Sequence, residues 1–364
     1  MNSGLPPCED GTLTTELTAH EMHLRQNKSL WQLFFYFPHL ESQLILSYTE
    51  MTVMPAVKLT TLNSKTPEKN EQPLQVANMK KKKALVLGGK TGLAGQALAH
   101  VMKNKEWEVT CPGRKDIDIF NARELDEYVQ DNKIEFIFNT VAYTRVDQAE
   151  DEEQSALKLN KELPFVLEKV CRRRDIYLIH YSTDFVFDGK KDTPYTTKDV
   201  PSSKSIYGRT KLKGEKILLS SPRDKLIIIR TAWLFGPFKT NFVDKVISLA
   251  HEKDNLNIVH DQVGSPTYTL DLAEYSLKLV DKETSGLFHL VNKGQASWCE
   301  LASEAIRCAG LYCRVTPIPS AEYPQKAARP CYSVLDCSKY SLVTGSTPRP
   351  WIKSLREYIY NYQQ

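Results

Sequence analysis

Long hydrophobic runs are missing from this 364-residue chain. Its densest early apolar stretch, Leu30-Trp31-Gln32-Leu33-Phe34-Phe35-Tyr36-Phe37, stops at Pro38, and Leu44-Ile45-Leu46 follows only after Glu41. Neither approaches the roughly 20 apolar residues that a membrane span needs, so no membrane association is expected. A secretory leader would open with basic residues ahead of an apolar core, whereas Glu9, Asp10 and Glu16 come first here. Charge of one sign is equally scarce. The 48 Lys and Arg against 44 Asp and Glu leave +4, and nucleic acid is not an expected partner. None of the eight cysteines forms a C-x-x-C pair, which excludes a zinc ribbon and a thioredoxin-type centre. A chain of this length builds a core without a disulfide framework, and the cysteines read as reduced thiols of a cytoplasmic protein. With 41% hydrophobic and 25% charged residues, collagen-like and largely disordered chains are excluded as well. Length suggests two or three domains.

What is present changes character at residue 79. Residues 1–78 carry eight acidic and five basic side chains, a net of −3 that leaves +7 for the rest. Residues 60–78 are polar and without periodicity. Then Met79-Lys80-Lys81-Lys82-Lys83 runs directly into Ala84-Leu85-Val86-Leu87-Gly88-Gly89. Residues 1–78 are therefore expected to be an N-terminal extension, disordered or preceding a functional start at Met79. Intact-mass measurement of the native protein decides between these.

Residues 84–87 form a short all-apolar run, as expected of a strand covered on both faces. Gly89-Lys90-Thr91-Gly92-Leu93-Ala94-Gly95 follows, and then a helical pattern through Leu93, Ala97, Leu98 and Val101. Glycines between a strand and a helix permit a tight turn and close approach of backbone to a pyrophosphate, with the helix N-terminus facing the charge. The Gly-Lys-Thr within it is not a P-loop, because the glycine needed five residues earlier is Ala84. Further strands are predicted at 108–111, 136–139, 177–181 and 226–229, with helices around 124–130 and 154–172. That alternation predicts an α/β fold, a Rossmann-type doubly wound parallel sheet. The tip of the second strand reads Pro112-Gly113-Arg114, without a carboxylate for an adenosine ribose. Arg114 there suits a 2′-phosphate, so NADPH is the expected cofactor and NADH the alternative.

Two segments bring reactive groups. His180-Tyr181-Ser182-Thr183-Asp184 places a hydroxyl past an apolar strand, where open α/β sheets bind ligands. Tyr207-Gly208-Arg209-Thr210-Lys211 sets a phenol and an ammonium on one helix face. A phenol titrates near 10, and a neighbouring lysine charge is expected to lower that value for acid–base work.

With these motifs the chain from Lys80 onward resembles the extended short-chain dehydrogenase/reductase family, and within it the dTDP-4-dehydrorhamnose reductases. The stretches 139–150, 182–189, 207–215, 230–236, 261–267 and Ala328-Arg329-Pro330 carry the resemblance, in order, along with the glycine turn. It implies NAD(P)H-dependent reduction of the C4 ketone of a dTDP-4-dehydro sugar, with Tyr207 as proton donor, Lys211 on the nicotinamide ribose and Thr183 polarising the carbonyl. It further implies Gly92, Leu93 and Ala94 at the pyrophosphate and Asp118 and Ile119 at the adenine. Ala142, Tyr143, Thr144 and Tyr181 would border the rest of the dinucleotide, and Thr183, Asp184 and Trp233 the sugar nucleotide. Departures are Thr140 and Val141 in a run usually richer in alanine, and Phe185 where many relatives have tyrosine. Ala97 stands where some members carry a glutamate for a magnesium-centred dimer, so no metal site is carried over; a homodimer stays open. The alternatives are another nucleotide-sugar reductase or epimerase, and a non-catalytic regulatory subunit of methionine adenosyltransferase.

The expected organisation is an extension at 1–78, a nucleotide-binding domain at 79–235 and, mainly, a smaller interleaved substrate-binding lobe at 236–364. In that lobe helices are predicted at 242–250, 270–279, 297–309 and 350–362, the third opened by Ser297 with Glu300 three residues on. A strand at 286–291 is predicted to return to the sheet, and 316–330 to be a surface loop. Arg329 is read as solvated or as a diphosphate contact. His260 beside Asp261 reads as a loop histidine.

Overall fold

A computed structural model describes residues 81–220 and 223–362. The expected extension and the Met79 start lie outside the described residues. In chain order come β1 (Lys83–Leu87), α1 (Leu93–Asn104), β2 (Glu108–Thr110), α2 (Ala122–Asp131), β3 (Phe136–Asn139) and α3 (Glu153–Leu157). A π-helical turn, Lys158–Glu162, leads into α4 (Leu163–Arg174), then β4 (Tyr177–Thr183), α5 (Ile206–Leu219), β5 (Leu226–Thr231) and β6 (Leu234–Phe235). The C-terminal part adds α6 (Phe242–Glu252), β7 (Asn255–Val259), β8 (Val263–Gly264), β9 (Thr267–Tyr268), α7 (Thr269–Asp281), β10 (Gly286–His289) and β11 (Ala296–Ser297). It ends with α8 (Trp298–Cys308), β12 (Arg314–Ile318), α9 (Ser338–Thr344) and α10 (Trp351–Tyr362).

Six strands form one parallel sheet in the order β10-β5-β4-β3-β1-β2. Side chains alternate faces along each strand. Val86, Phe138, Ile179 and Ile229 therefore meet Leu98 of α1 and Leu277 of α7 on one side. Leu85, Ile137, Leu178 and Ile228 meet Leu125, Leu167 and Leu218 of α2, α4 and α5 on the other. Two covered faces are why the strands read as unbroken apolar runs. The strand order reverses between β1 and β3, which opens a crevice at their carboxyl ends. β10 is the predicted returning strand, pairing Phe288 with Ile229.

Three local readings change. The predicted helix over 154–172 is helical from Glu153 to Arg174 but passes through the π-helical turn on the way. The predicted loop at 316–330 begins as β12, which pairs in parallel with β7 from Arg314↔Asn255 to Ile318↔Val259. The strand at 177–181 runs on to Thr183. The capping box at Ser297 forms as predicted, with Glu300 reaching back to the Ser297 backbone. No described helix is long and apolar enough to cross a membrane.

Candidate active site

The crevice between β1 and β3 is built from glycine. Gly88 has φ +89°, in the left-handed region that favours glycine. A Cβ on Gly95 would sit 2.5 Å from the Gly88 carbonyl oxygen, and one on Gly92 2.8 Å from the same atom. The turn thus packs as close as backbone permits. Gly92 caps α1 without any side-chain hydrogen bond, which leaves the first N–H groups of the helix, from Leu93 through Gly95, for an anionic ligand. This cradle fits the pyrophosphate of a dinucleotide. Thr140 turns its hydroxyl to the Leu87 carbonyl at 2.7 Å, so the polar departure in this run is absorbed by β1.

Beyond β2, where the adenosine of a dinucleotide is expected, Arg114 is exposed and Ile119 is half-buried. Asp118 spends its carboxylate on the Phe120 N–H at 3.0 Å. A group missed in the sequence stands beside them. Asp116 accepts the Gly113 N–H at 2.6 Å and pairs with Lys90 from the glycine turn, and the Lys90 bond is the chief cause holding its carboxyl below the usual range. After β3, Ala142 is half-buried and Thr144 exposed. Tyr143 is buried, with its hydroxyl on Glu152 at 2.8 Å.

α5 starts at Ser205, whose hydroxyl accepts the Gly208 N–H at 3.2 Å. One turn separates Tyr207 from Lys211, and both face the carboxyl edge of β4. Lys211 is buried and donates to the Tyr181 carbonyl at 2.6 Å. Tyr181 meets the site through that carbonyl, because its ring lies in the core with the hydroxyl on Ser276 at 2.8 Å. Burial pushes the Tyr207 phenol up to about 12; a hydrogen bond with Thr183 opposes the rise and Asp184 adds to it. The phenol thus stands above its ordinary value, where a lowering beside the lysine was expected. Burial moves Lys211 itself the other way, down to about 8, opposed by Glu215.

Thr183 ends β4. Its hydroxyl donates to Asp184 Oδ1 at 3.0 Å and accepts the Phe185 N–H at 3.2 Å. Asp184 is only 2% exposed and its Oδ2 accepts from Ser333 Oγ at 2.6 Å. Burial raises this carboxyl to about 6 against those hydrogen bonds. Asp184 is thus enclosed by protein partners, where the sequence suggested a sugar contact. Trp233 has a left-handed backbone, φ +45°, which is costly for a bulky residue. Its indole stacks on Trp298 with centroids 3.5 Å apart and planes 5° from parallel. A Cβ on Gly264 would collide with that indole, which is why glycine stands there. Arg329, read as solvated or as a diphosphate contact, is instead engaged within the protein: Nη1 and Nη2 donate to the two carboxylate oxygens of Asp147 at 3.0 and 2.8 Å.

The sequence model of the RmlD substrate binding domain matches residues 82–364. The chain belongs to this family. It is similar to a dTDP-4-keto-6-deoxy-D-glucose reductase of Streptomyces niveus, 36% identical over 271 residues that span 74% of this chain and 94% of that protein. Among solved structures, a dTDP-4-dehydrorhamnose reductase of Clostridium acetobutylicum is 38% identical with TM-score 0.74, covering 78% of this chain and 100% of that one. A dTDP-4-dehydrorhamnose reductase of Bacillus anthracis, solved in complex with NADP, is 30% identical with TM-score 0.74, covering 77% and 99%.

Four further groups escaped sequence reasoning. Ser333 sits three residues beyond the quoted Ala328-Arg329-Pro330, and Trp298 directly after the predicted cap Ser297. His180 lies inside a quoted strand. Asn160, at the π-helical turn, accepts the Tyr143 N–H at 2.9 Å and donates to Thr210 Oγ1 at 3.0 Å. That turn lets one side chain join the loop after β3 to α5, a use typical of π-bulges near functional sites. Among the described residues no cluster of three or more His, Cys, Asp or Glu is arranged to hold a metal ion.

Proposed function

We propose that this chain is an NADPH-dependent oxidoreductase of dTDP-rhamnose biosynthesis that reduces the C4 ketone of dTDP-4-dehydro-β-L-rhamnose to dTDP-L-rhamnose. The observation that carries this reading is the convergence of Thr183, Tyr207 and Lys211 beside the uncapped glycine cradle. It stands in a chain whose solved relatives at 38% and 30% identity are named for this reaction, one of them with NADP.

A bound reduced nicotinamide supplies the hydride that goes to C4. Tyr207 gives its phenolic proton to the ketone oxygen as charge develops there, and a phenol raised to about 12 holds that proton throughout the neutral range. Lys211 holds the nicotinamide ribose with the N–H groups not spent on Tyr181. Thr183, turning from Asp184, donates to the carbonyl oxygen as a preorganised oxyanion donor. Gly89, Gly92, Leu93, Ala94 and Gly95 take the pyrophosphate; Arg114, Asp118 and Ile119 border the adenosine; Ala142, Tyr143, Thr144 and the Tyr181 carbonyl border the remainder. Trp233 lines the sugar nucleotide, with Asp184 behind Thr183. NADH serves as the alternative donor. In this reading the chain works in the cytoplasm, as a monomer or homodimer, with nucleotide-binding residues 79–235 and a substrate lobe from 236.

The test is NADPH oxidation with enzymatically generated dTDP-4-dehydro-L-rhamnose, with the product identified. Formation of dTDP-L-rhamnose with one NADPH consumed per product supports the reading. The Streptomyces niveus relative favours one rival, reduction of dTDP-4-keto-6-deoxy-D-glucose, and faster turnover of that sugar overturns the first substrate. Sugar inversion without net NADPH consumption indicates an epimerase. Binding of NADPH without turnover of any keto sugar, together with co-purification of a methionine adenosyltransferase, indicates the regulatory subunit.

A further inference from the structure

His180 of β4 touches a reacting group yet has no part in the chemistry above. It is completely buried, and its neighbours fix which nitrogen carries the proton. The Val141 backbone N–H, which can only donate, points at Asn139 Oδ1 at 3.2 Å. The Asn139 amide NH₂ therefore faces His180 Nδ1, at 3.0 Å. An amide NH₂ can only donate as well, so Nδ1 is the acceptor and the neutral ring carries its proton on Nε2. Complete burial is the chief cause that keeps the imidazole neutral, pushing its pKa well below the ordinary value. Nε2 lies 3.5 Å from Lys211 Nζ.

That contact sets donor against donor while Lys211 is an ammonium. An uncharged amine resolves it. Its lone pair accepts Nε2–H, one N–H donates to the Tyr181 carbonyl at 2.6 Å, and one N–H remains for the cofactor ribose. The other charged groups facing Lys211 do not undo this. Glu215, one turn along α5, favours the ammonium, but its carboxylate is bound by Arg230 of β5 at 2.6 and 3.0 Å. Tyr207 on the same helix face is protonated in the neutral range.

We propose that His180, locked by Asn139 into the Nε2–H tautomer, is a positioning residue that seats Lys211 on the Tyr181 carbonyl and favours its uncharged amine. The Asn139–His180 pair thus decides in which protonation state Lys211 meets the nicotinamide ribose. This rests on the reading of Lys211 as the ribose-binding residue.

The experiment is NMR on the full-length chain. Long-range ¹H–¹⁵N spectra of wild type read the His180 tautomer directly, and Nε2–H is expected; Nδ1–H overturns the proposal without any mutation. Lysine labelled at Cε, with the Lys211 signal assigned by its loss in Lys211→Met, gives the Lys211 titration. In Asn139→Asp the new carboxylate accepts from Nδ1–H, so Nε2 becomes an acceptor and the Lys211 midpoint should rise by about one pH unit, a tenfold gain in proton affinity. His180→Gln, which can present its carbonyl to Nζ, should move it the same way. Folded variants that titrate at the wild-type midpoint overturn the proposal, since a merely structural role lowers stability without moving that midpoint. None of these readouts needs turnover, so failure of the proposed activity registers separately.

Discussion

At the scale of single residues, the site is a set of buried groups whose protonation follows from burial. The phenol of Tyr207 is the proton donor in the proposed reaction, so Tyr207→Phe should cut turnover by roughly 10²–10⁴-fold, the usual loss on removing a general acid, with NADPH affinity retained. Steady-state kinetics beside a cofactor titration check it. Asp184 makes a second prediction. Its folded carboxyl stands at about 6, above the ordinary 3.8, so the native state favours the protonated form. Stability from this group is fully present below the unfolded value near 4 and is lost as pH rises through 6, by about 3 kcal/mol for a group so enclosed. Asp184→Asn should remove that fall. Urea midpoints of both proteins from pH 4 to 7 should diverge in the variant's favour, and parallel curves would contradict the assignment. Tyr207 and Lys211 were legible because a four-residue spacing on a helix is visible in sequence. Ser333, which holds Asp184, was not, because 149 residues separate the pair and a lone serine carries no pattern.

At the scale of elements, the strands and most helices followed from apolar periodicity, and their failures have local causes. The π-helical turn at Lys158–Glu162 adds a residue to a helix without disturbing its apolar pattern enough to announce itself. β12 holds Pro317 and is largely half-exposed, and its partner β7 lies about 60 residues earlier, so neither composition nor neighbours mark it as a strand. The turn also explains a glycine. A Cβ on Gly214 of α5 would collide with the Asn160 carbonyl and lie 3.2 Å from Pro164 Cγ. The obstacle is backbone, which cannot rotate aside. Gly214→Ala should therefore push α5 away from the turn at a cost of about 1–3 kcal/mol. Because α5 carries Tyr207 and Lys211, turnover should fall more than that destabilisation alone produces in a folded sample. Thermal unfolding and kcat measured together test this, and an unchanged melting temperature would show that α5 is not seated as described.

At the scale of the whole described fold, the reacting helix is anchored through a buried ion pair rather than through apolar packing alone. Arg230 of β5 and Glu215 of α5 are 2% and 0% exposed, joined by Nε–Oε1 at 3.0 Å and Nη2–Oε2 at 2.6 Å. Arg230 also lies over the Phe187 ring and 3.5 Å from His289 Nε2 on β10. His289 Nδ1 lies 2.9 Å from the Tyr195 carbonyl, which can only accept, so Nδ1 carries the proton and Nε2 is free to receive from Arg230. One guanidinium thus ties together α5, β5, the returning strand and the loop after β4. Its motif, Arg230-Thr231-Ala232-Trp233, was visible in the sequence, but a charge in an apolar strand does not say which distant carboxylate neutralises it. Removing one partner leaves the other charged and buried, which costs far more than the pair's net worth. Glu215→Leu and Arg230→Met should each destabilise by about 3–5 kcal/mol, whereas the two combined should lose much less than their sum, because no lone charge remains. Denaturant unfolding of the two singles and the double gives the coupling energy. A double variant as unstable as the sum of the singles would mean that the pair does not act as a unit, and that α5 is held by its apolar contacts with α4 and the sheet.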